Sequence, residues 1–249
     1  MKRTLTLAAC TALALATTPL RATDLSNMTA AEQQAFGKAV RSYILENPEL
    51  IMEAVSILRE REAQAEARAD FDLVTVNAQD IFEDGFSYVG GNPDGDITLV
   101  EFMDYRCGYC RKAYDDVEEL IASDGNIRLI VKEFPILGDA SMASSQFAIA
   151  IKQLHGAVAY KKTHDALIAL NGEPNEPTLI RLATNLGHDA GEIMERMNSD
   201  GVLMEIATTR ALAQRLQITG TPTFVLQDEL VRGYVPLDAM RELVSDKRG

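Results

Sequence analysis

Two cysteines, Cys107 and Cys110, enclose Gly108 and Tyr109 within the segment ITLVEFMDYRCGYCRKAYDDVEEL that runs from Ile97 to Leu120. A thiol attacks as its thiolate, and the mixed disulfide it forms is opened by a second thiolate held nearby. This spacing makes Cys107 the attacking sulfur and Cys110 the resolving one. Half of a zinc site and an inert structural disulfide use the same pair of residues. Zinc would need two more ligands at suitable spacing. Apart from Cys10 the chain has no other cysteine, and its histidines, His155, His164 and His188, are widely spread.

The elements that must position the pair can be read on either side of it. Ile97, Leu99, Val100, Phe102, Met103 and Tyr105 make an apolar run too continuous for a half-exposed strand, which predicts a strand covered on both faces. Beyond the cysteines, Ala113, Val117, Leu120 and Ile121 repeat with a helical period, leaving the acids on the outer face. Cys107 therefore falls at a helix N-terminus, where unpaired amides and the positive dipole end favour an anion. Arg106, Arg111 and Lys112 add positive charge nearby. Glu101 interrupts the strand six positions before Cys107, and burying a carboxylate is costly unless it is paired or protonated. In one reading it is an acid beneath the helix with a raised pKa, relaying the proton of Cys110, with Lys132 in the next strand as its partner. In the other it is an acid at a strand edge, reached by solvent.

The chain has 249 residues, of which 47% are hydrophobic, enough for a sizeable core, and a net charge of -13. So acidic a surface argues against nucleic acid or anionic lipid as a partner. Lys2 and Arg3, the apolar run Leu5 to Ala16, Pro19 and a small residue at Ala22 read as a signal peptide over residues 1–22, too short to span a bilayer. Cys10 would leave with it, and no membrane insertion is expected afterwards. Two cysteines then remain in an exported chain, most simply in the bacterial periplasm.

Thr29 and Glu32 predict a capping box opening a helix through about Glu46, and Asn47 with Pro48 predicts the start of a second helix. Its stripe of Leu50, Ile51, Val55 and Leu58 gives way to REREAQAEARAD, which reads as a solvated linker or as a stalk buried against copies of itself. Phe71 to Val76 reads as a strand or a lead-in. Phe86 to Val89 and Ile127 to Phe134 are further strands. Five helical stretches follow, about Ser141 to His155, Ala157 to Leu170, Thr178 to Leu186, Ala190 to Met197 and Leu203 to Leu216. The sheet resumes over Ile218 to Leu226 and Leu230 to Tyr234, and a last helix begins near Pro236. Pro222 belongs at the start of its strand, where a cis bond would expose the Thr221 backbone to an extended peptide.

The Cys-Gly-Tyr-Cys, the distant Thr221-Pro222 and the helical block together resemble the DsbA-type thiol-disulfide oxidoreductases. That resemblance implies an α/β chain: a thioredoxin fold over residues 71–249, with a helical insertion at about 140–216. It makes Cys107 the nucleophile, Cys110 the resolving thiol, Glu101 the buried acid and Pro222 the cis-proline. Thr221, Pro222, Gly108 and Tyr109 would contact substrate. DsbA oxidases usually carry Pro-His between the cysteines. Gly108-Tyr109, with threonine before the proline, is instead similar to the disulfide isomerase DsbC, and losing the histidine donor implies a milder oxidant. The segment 23–70, including NPELIMEAVSIL, resembles the helical extension of ScsC-like proteins, which are associated with copper tolerance and use it to oligomerise. A homo-oligomer is therefore expected, a trimer over a dimer.

These readings predict a periplasmic disulfide isomerase or reductase acting on exported proteins, kept reduced by a membrane thiol reductase of the DsbD or ScsB kind and needing no organic cofactor. Three alternatives stand beside this: a monomeric dithiol oxidase using the same residues and recharged by a quinone-linked partner, a copper(I)-binding protein using the soft thiolates of Cys107 and Cys110, and an envelope interaction module whose stalk docks a partner and whose thiols are incidental.

Overall fold

The alternation of short β-rich runs with a long helical block gives a mixed α/β architecture in a computed structural model that describes residues 27–249. The expected signal peptide, with Cys10 and Ala22, lies outside the described residues. In chain order the elements are α1 (Ala30–Glu46), α2 (Glu49–Val76), α3 (Ala78–Phe82), β1 (Tyr88–Gly91), β2 (Ile97–Met103), α4 (Gly108–Asp124), β3 (Ile127–Glu133) and α5 (Asp139–Ile168). Then come α6 (Glu176–Asn185), α7 (Ala190–Met197), α8 (Asp200–Arg215), β4 (Thr223–Leu226), β5 (Glu229–Arg232) and α9 (Leu237–Arg248). The chain divides into two units, the first ending at Arg59 and the second spanning Glu60–Gly249.

In the first unit, α1 opens on the expected capping box: Thr29 accepts from the Glu32 amide, and the Glu32 carboxylate accepts from the Thr29 amide at 2.8 Å. Asn47 departs from expectation. It closes α1, its amide and side chain both donating to the Tyr43 carbonyl, and Pro48 occupies the capping position ahead of α2. No residue of α1 is buried, and Phe36, Val40, Tyr43, Ile51 and Leu58 are all exposed. Spacings of four and three in α1 and of seven, two turns, in α2 line them into stripes.

The second unit is built on a five-stranded sheet in the order β1-β3-β2-β4-β5, with β2 and β3 parallel and every other pair antiparallel. The continuous apolar run of β2 is explained by its central place, since both of its faces are covered. Leu99, Met103, Leu129, Val131 and Phe224 pack on one side against Val117 and Leu120 of α4, Phe147 and Ile151 of α5, and Met240 of α9. Val100, Phe102, Ile130 and Val225 pack on the other against Val74, Ile81, Leu212 and Leu216. Each such large side chain contributes about 1.5–3 kcal/mol by leaving water. Gly125, at φ 75°, closes α4 in the left-handed conformation that glycine adopts without strain. The helical block between β3 and β4 follows the sequence closely. Gly156, at φ 81° and ψ -175°, breaks α5 between the two predicted stretches.

Phe71 to Val76 is not a strand. It completes α2, because Val74 is buried on the helical face that also carries Asp70, whose carboxylate accepts from Arg232 of β5 at 2.7 Å. Tertiary burial outweighs the β preference of Val74, Thr75 and Val76.

Candidate active site

The carboxyl end of a central strand followed by a helix N-terminus is where α/β sheets place their chemistry, and the two cysteines lie there. Cys107 is the N-cap of α4 with extended backbone (φ -74°, ψ 119°), and its side chain makes no capping bond. Its thiol instead donates to the Thr221 carbonyl at 3.1 Å. The Thr221–Pro222 peptide is cis, as expected, and Pro222 immediately precedes β4, so its missing amide costs no ladder bond. Cys107 is 8% exposed and Cys110, one turn on, 1%. Both are free thiols. The Asp104 amide lies 3.5 Å from the Cys110 sulfur. Burial pushes the Cys110 thiol well up, and the neighbouring Glu101 charge adds to the effect.

Glu101 is 6% exposed on a central strand, which removes the edge-strand reading. It pairs in register with Val131 and Phe224, both of the α4-covered layer. Burial, then the charges of Glu118 and Glu133, raise its pKa to about 8. Lys132 is not its partner. Lys132 stands opposite Phe102, one residue out of phase, and so projects from the other face of the sheet. There its ammonium binds Asp84 at 2.5 Å and the Asp80 carbonyl at 2.9 Å. Burial alone would raise the Asp84 carboxyl, but Lys132 outweighs it and holds the carboxyl below its usual range. Glu101 is thus a buried acid among acids, inclined to hold its proton at neutral pH.

Gly108 and Tyr109 form the first turn of α4, with Tyr109 64% exposed. The Tyr109 ring stacks 6.4 Å from that of Tyr234, which the sequence reading did not single out. Tyr234 donates to Asp116 at 2.7 Å and lies 4.2 Å beneath the Lys112 ammonium, so Tyr109, Lys112 and Asp116 meet it along one stripe of α4. Gly233, next to Tyr234, donates to the Pro222 carbonyl at 2.9 Å, tying this aromatic ledge to the cis-proline loop. The arginines do something other than surround the thiol with charge. Arg106 donates to the Gly172 carbonyl at 2.9 Å, and Arg111 to the carbonyls of Tyr105 and Leu170 at 2.8 and 2.9 Å.

Asp104 was also missed. It is fully buried and accepts from the amides of Arg106 and Ile136 at 2.8 Å each and of Leu137 at 3.1 Å, which folds the turn entering Cys107. An acid directly after an apolar strand and two residues before an amide it can cap is the local signal for such a turn. Among the described residues no group of three or more His, Cys, Asp or Glu side chains is placed to hold a metal ion. A cavity of about 500 Å³ lies between the second half of α2 and β5, lined by Ala63, Asp70, Leu230 and Arg232, and includes neither thiol.

The model of the DSBA-like thioredoxin domain matches residues 98–245, which contain both cysteines, Glu101 and the Thr221-Pro222 pair. The chain belongs to this DsbA-like family. The copper resistance protein ScsC N-terminal domain matches residues 32–65, over α1 and the start of α2. Among solved structures, a thioredoxin-like oxidoreductase from Silicibacter pomeroyi is 39% identical, with a TM-score of 0.64, over 68% of this chain and 96% of that one. The thiol-disulfide exchange protein alpha-DsbA2 from Wolbachia pipientis is 28% identical, with a TM-score of 0.68, over 74% of this chain and 98% of that one. A curated relative, the Na(+)/H(+) antiporter NhaA 1 of Salinispora arenicola, is 28% identical over 64% of this chain, which spans only 24% of the antiporter's length. No described helix of the DsbA-like chain is long and apolar enough to cross a membrane. The fold, the dithiol and the family are those of the DsbA-like thiol-disulfide oxidoreductases.

Proposed function

We propose that this chain is a periplasmic, oligomeric disulfide isomerase and reductase of exported proteins. The Cys107 thiolate attacks one sulfur of a wrong client disulfide, forming a Cys107–client disulfide and expelling the other client sulfur as a thiolate. The client segment lies along Thr221 and Pro222 and displaces the thiol's own contact with the Thr221 carbonyl. In isomerisation a client thiolate attacks the captured client sulfur, forming a new client disulfide and restoring Cys107. In reduction Glu101, in its ionised form, takes the proton of Cys110, whose thiolate attacks Cys107. That closes the Cys107–Cys110 disulfide and releases the client thiolate. A membrane thiol reductase of the DsbD or ScsB kind then returns two electrons and two protons to the pair.

The observation that carries isomerisation over simple oxidation is the exposed apolar stripe of the first unit, Phe36, Val40, Tyr43, Ile51 and Leu58. It has the character of a surface to be buried against further copies of itself, and it lies within the segment resembling the ScsC N-terminal domain. Several active sites would then face one client. Gly108-Tyr109 supports the same reading, since no side chain between the cysteines adds a charged donor to the thiolate.

The test is recovery of a scrambled multi-disulfide protein by the full chain and by the unit Glu60–Gly249 alone. The full chain is expected to recover it, with the shorter unit retaining dithiol oxidation but losing isomerisation. Equal recovery by both would overturn the oligomeric isomerase. A solution mass of one chain would favour the monomeric oxidase. Copper(I) retained on Cys107 and Cys110 through dialysis, without rescue of the client, would favour metal binding.

A further inference from the structure

A second buried acid, Glu133, takes no part in the exchange chemistry above, yet three side-chain hydroxyls converge on it. Its carboxylate accepts from the Tyr105 hydroxyl at 2.8 Å, the Tyr160 hydroxyl at 2.6 Å and the Ser145 hydroxyl at 2.7 Å. The Tyr105 oxygen also lies 3.0 Å from Nδ1 of His164. Tyr105 spends its one proton on Glu133, so Nδ1 must be the donor to Tyr105, which fixes the His164 tautomer. Burial lowers the His164 pKa to about 4, so the ring is neutral and the charge of the cluster rests on the carboxylate.

Glu133 and Glu101 share a face of the sheet. Glu101 is opposite Val131 in the parallel register and Glu133 is opposite Met103, two residues further along each strand. Other charges face them. Glu118 of α4 faces Glu101, but its side chain is 38% exposed and bound to Lys161 at 3.1 Å, so solvent and its partner screen it. Cys110 of α4 approaches Glu101 from the helix side. Lys152 of α5 faces Glu133 and is itself bound to Glu205 at 2.7 Å. Burial raises the pKa of Glu133 to about 7, against the pull of the Tyr160, Ser145 and Tyr105 hydroxyls. In a neighbouring pair the group with hydrogen-bond donors ionises first and makes the second ionisation harder.

We propose that Glu133 is a positioning residue for the resolving step: held by three hydroxyls on the same side of the sheet as Glu101, its carboxylate opposes negative charge on Glu101, the group that takes the Cys110 proton. Through Tyr105 it also anchors the turn entering Cys107. The proposal rests on the dithiol exchange and on Glu101 as the base for Cys110, and not on the isomerase reading.

The experiment uses the full reduced chain and glutathione disulfide. Cys107 displaces glutathione thiolate and becomes glutathionylated, and Cys110 then expels the second glutathione to close the Cys107–Cys110 disulfide. Quenched samples read by mass give the decay of the glutathionylated species from about pH 5.5 to 9.5. The wild-type decay rate should rise along a limb set by Glu101. Glu133→Gln should move that limb down in pH and speed decay between about pH 7 and 8.5, where wild-type Glu133 is ionised, with little change below pH 6. Ser145→Ala, a milder change that removes one donor and so reduces the charge on Glu133, should move it the same way by less. A limb unmoved in both variants, with only their melting temperatures lowered, would make Glu133 a structural residue and overturn the proposal. If Glu101→Gln leaves the wild-type limb in place, the base assignment fails first and this inference fails with it.

Discussion

The Cys107 thiol donates to the carbonyl of Thr221 at 3.1 Å, joining residues 114 apart in sequence, while Cys110 stays beneath it at 1% exposure. The asymmetry sets an order of reaction. One sulfur, at 8% exposure, lies against the cis-proline loop, where a client backbone can replace the Thr221 contact. The other, with its thiol pushed up by burial and then by Glu101, waits for a mixed disulfide above it. Alkylation of the native reduced protein should therefore label Cys107 at least tenfold faster than Cys110, with the two rates converging in denaturant. Peptide mapping of the labelled protein checks this.

Glu101 couples activity to stability. The folded state holds its proton up to about pH 8 from an ordinary value of 4.5, so its stability contribution is complete below pH 4.5 and is lost as pH rises through 8. At pH 7 the accumulated cost is roughly 3 kcal/mol. Glu101→Gln should raise the melting temperature at pH 7 to 8, change it little near pH 4.5, and slow the resolving step. Paired thermal melts and exchange kinetics across that range measure both effects.

Asp104 holds the entry to the site by its two oxygens. Asp104→Ala leaves the amides of Arg106, Ile136 and Leu137 without their acceptor in a buried turn, at a cost of about 2–4 kcal/mol. Denaturant melts should show that loss, and Cys107 should alkylate faster as the turn loosens. Asp104→Asn, which keeps one acceptor oxygen, should fall between.

Isomerase activity should track the apolar stripe of the first unit. Ile51→Glu with Leu58→Glu changes two exposed positions. Light scattering should give the mass of one chain, rescue of a scrambled substrate should fall by an order of magnitude, and exchange with a small disulfide should stay within about twofold of wild type.

Much of this was legible in the sequence because it is local. The continuous apolar run of β2, the period of α4, the break at Gly156 and the box of Thr29 with Glu32 each depend on residues a few positions apart. The errors came where distant contacts decide. Lys132 could be assigned to Asp84 rather than Glu101 only once the β2–β3 register fixed which face it leaves. The β-branched run at the end of α2 stays helical because Val74 is buried by partners far along the chain. Glu133 draws its three hydroxyls from Tyr105, Ser145 and Tyr160, and Asp104 draws two of its amides from beyond β3. No spacing rule joins such residues. Tyr234 had a faint signal in its place just after β5, the second strand beyond Pro222, but its stacking on Tyr109 is purely tertiary.

The account stands most directly on which sulfur captures a client. Cys110→Ser protein incubated with a peptide disulfide and mapped by mass spectrometry should accumulate a mixed disulfide at Cys107, and Cys107→Ser should accumulate none. A mixed disulfide at Cys110 in the Cys107→Ser protein, forming as fast as the one at Cys107, would contradict the account.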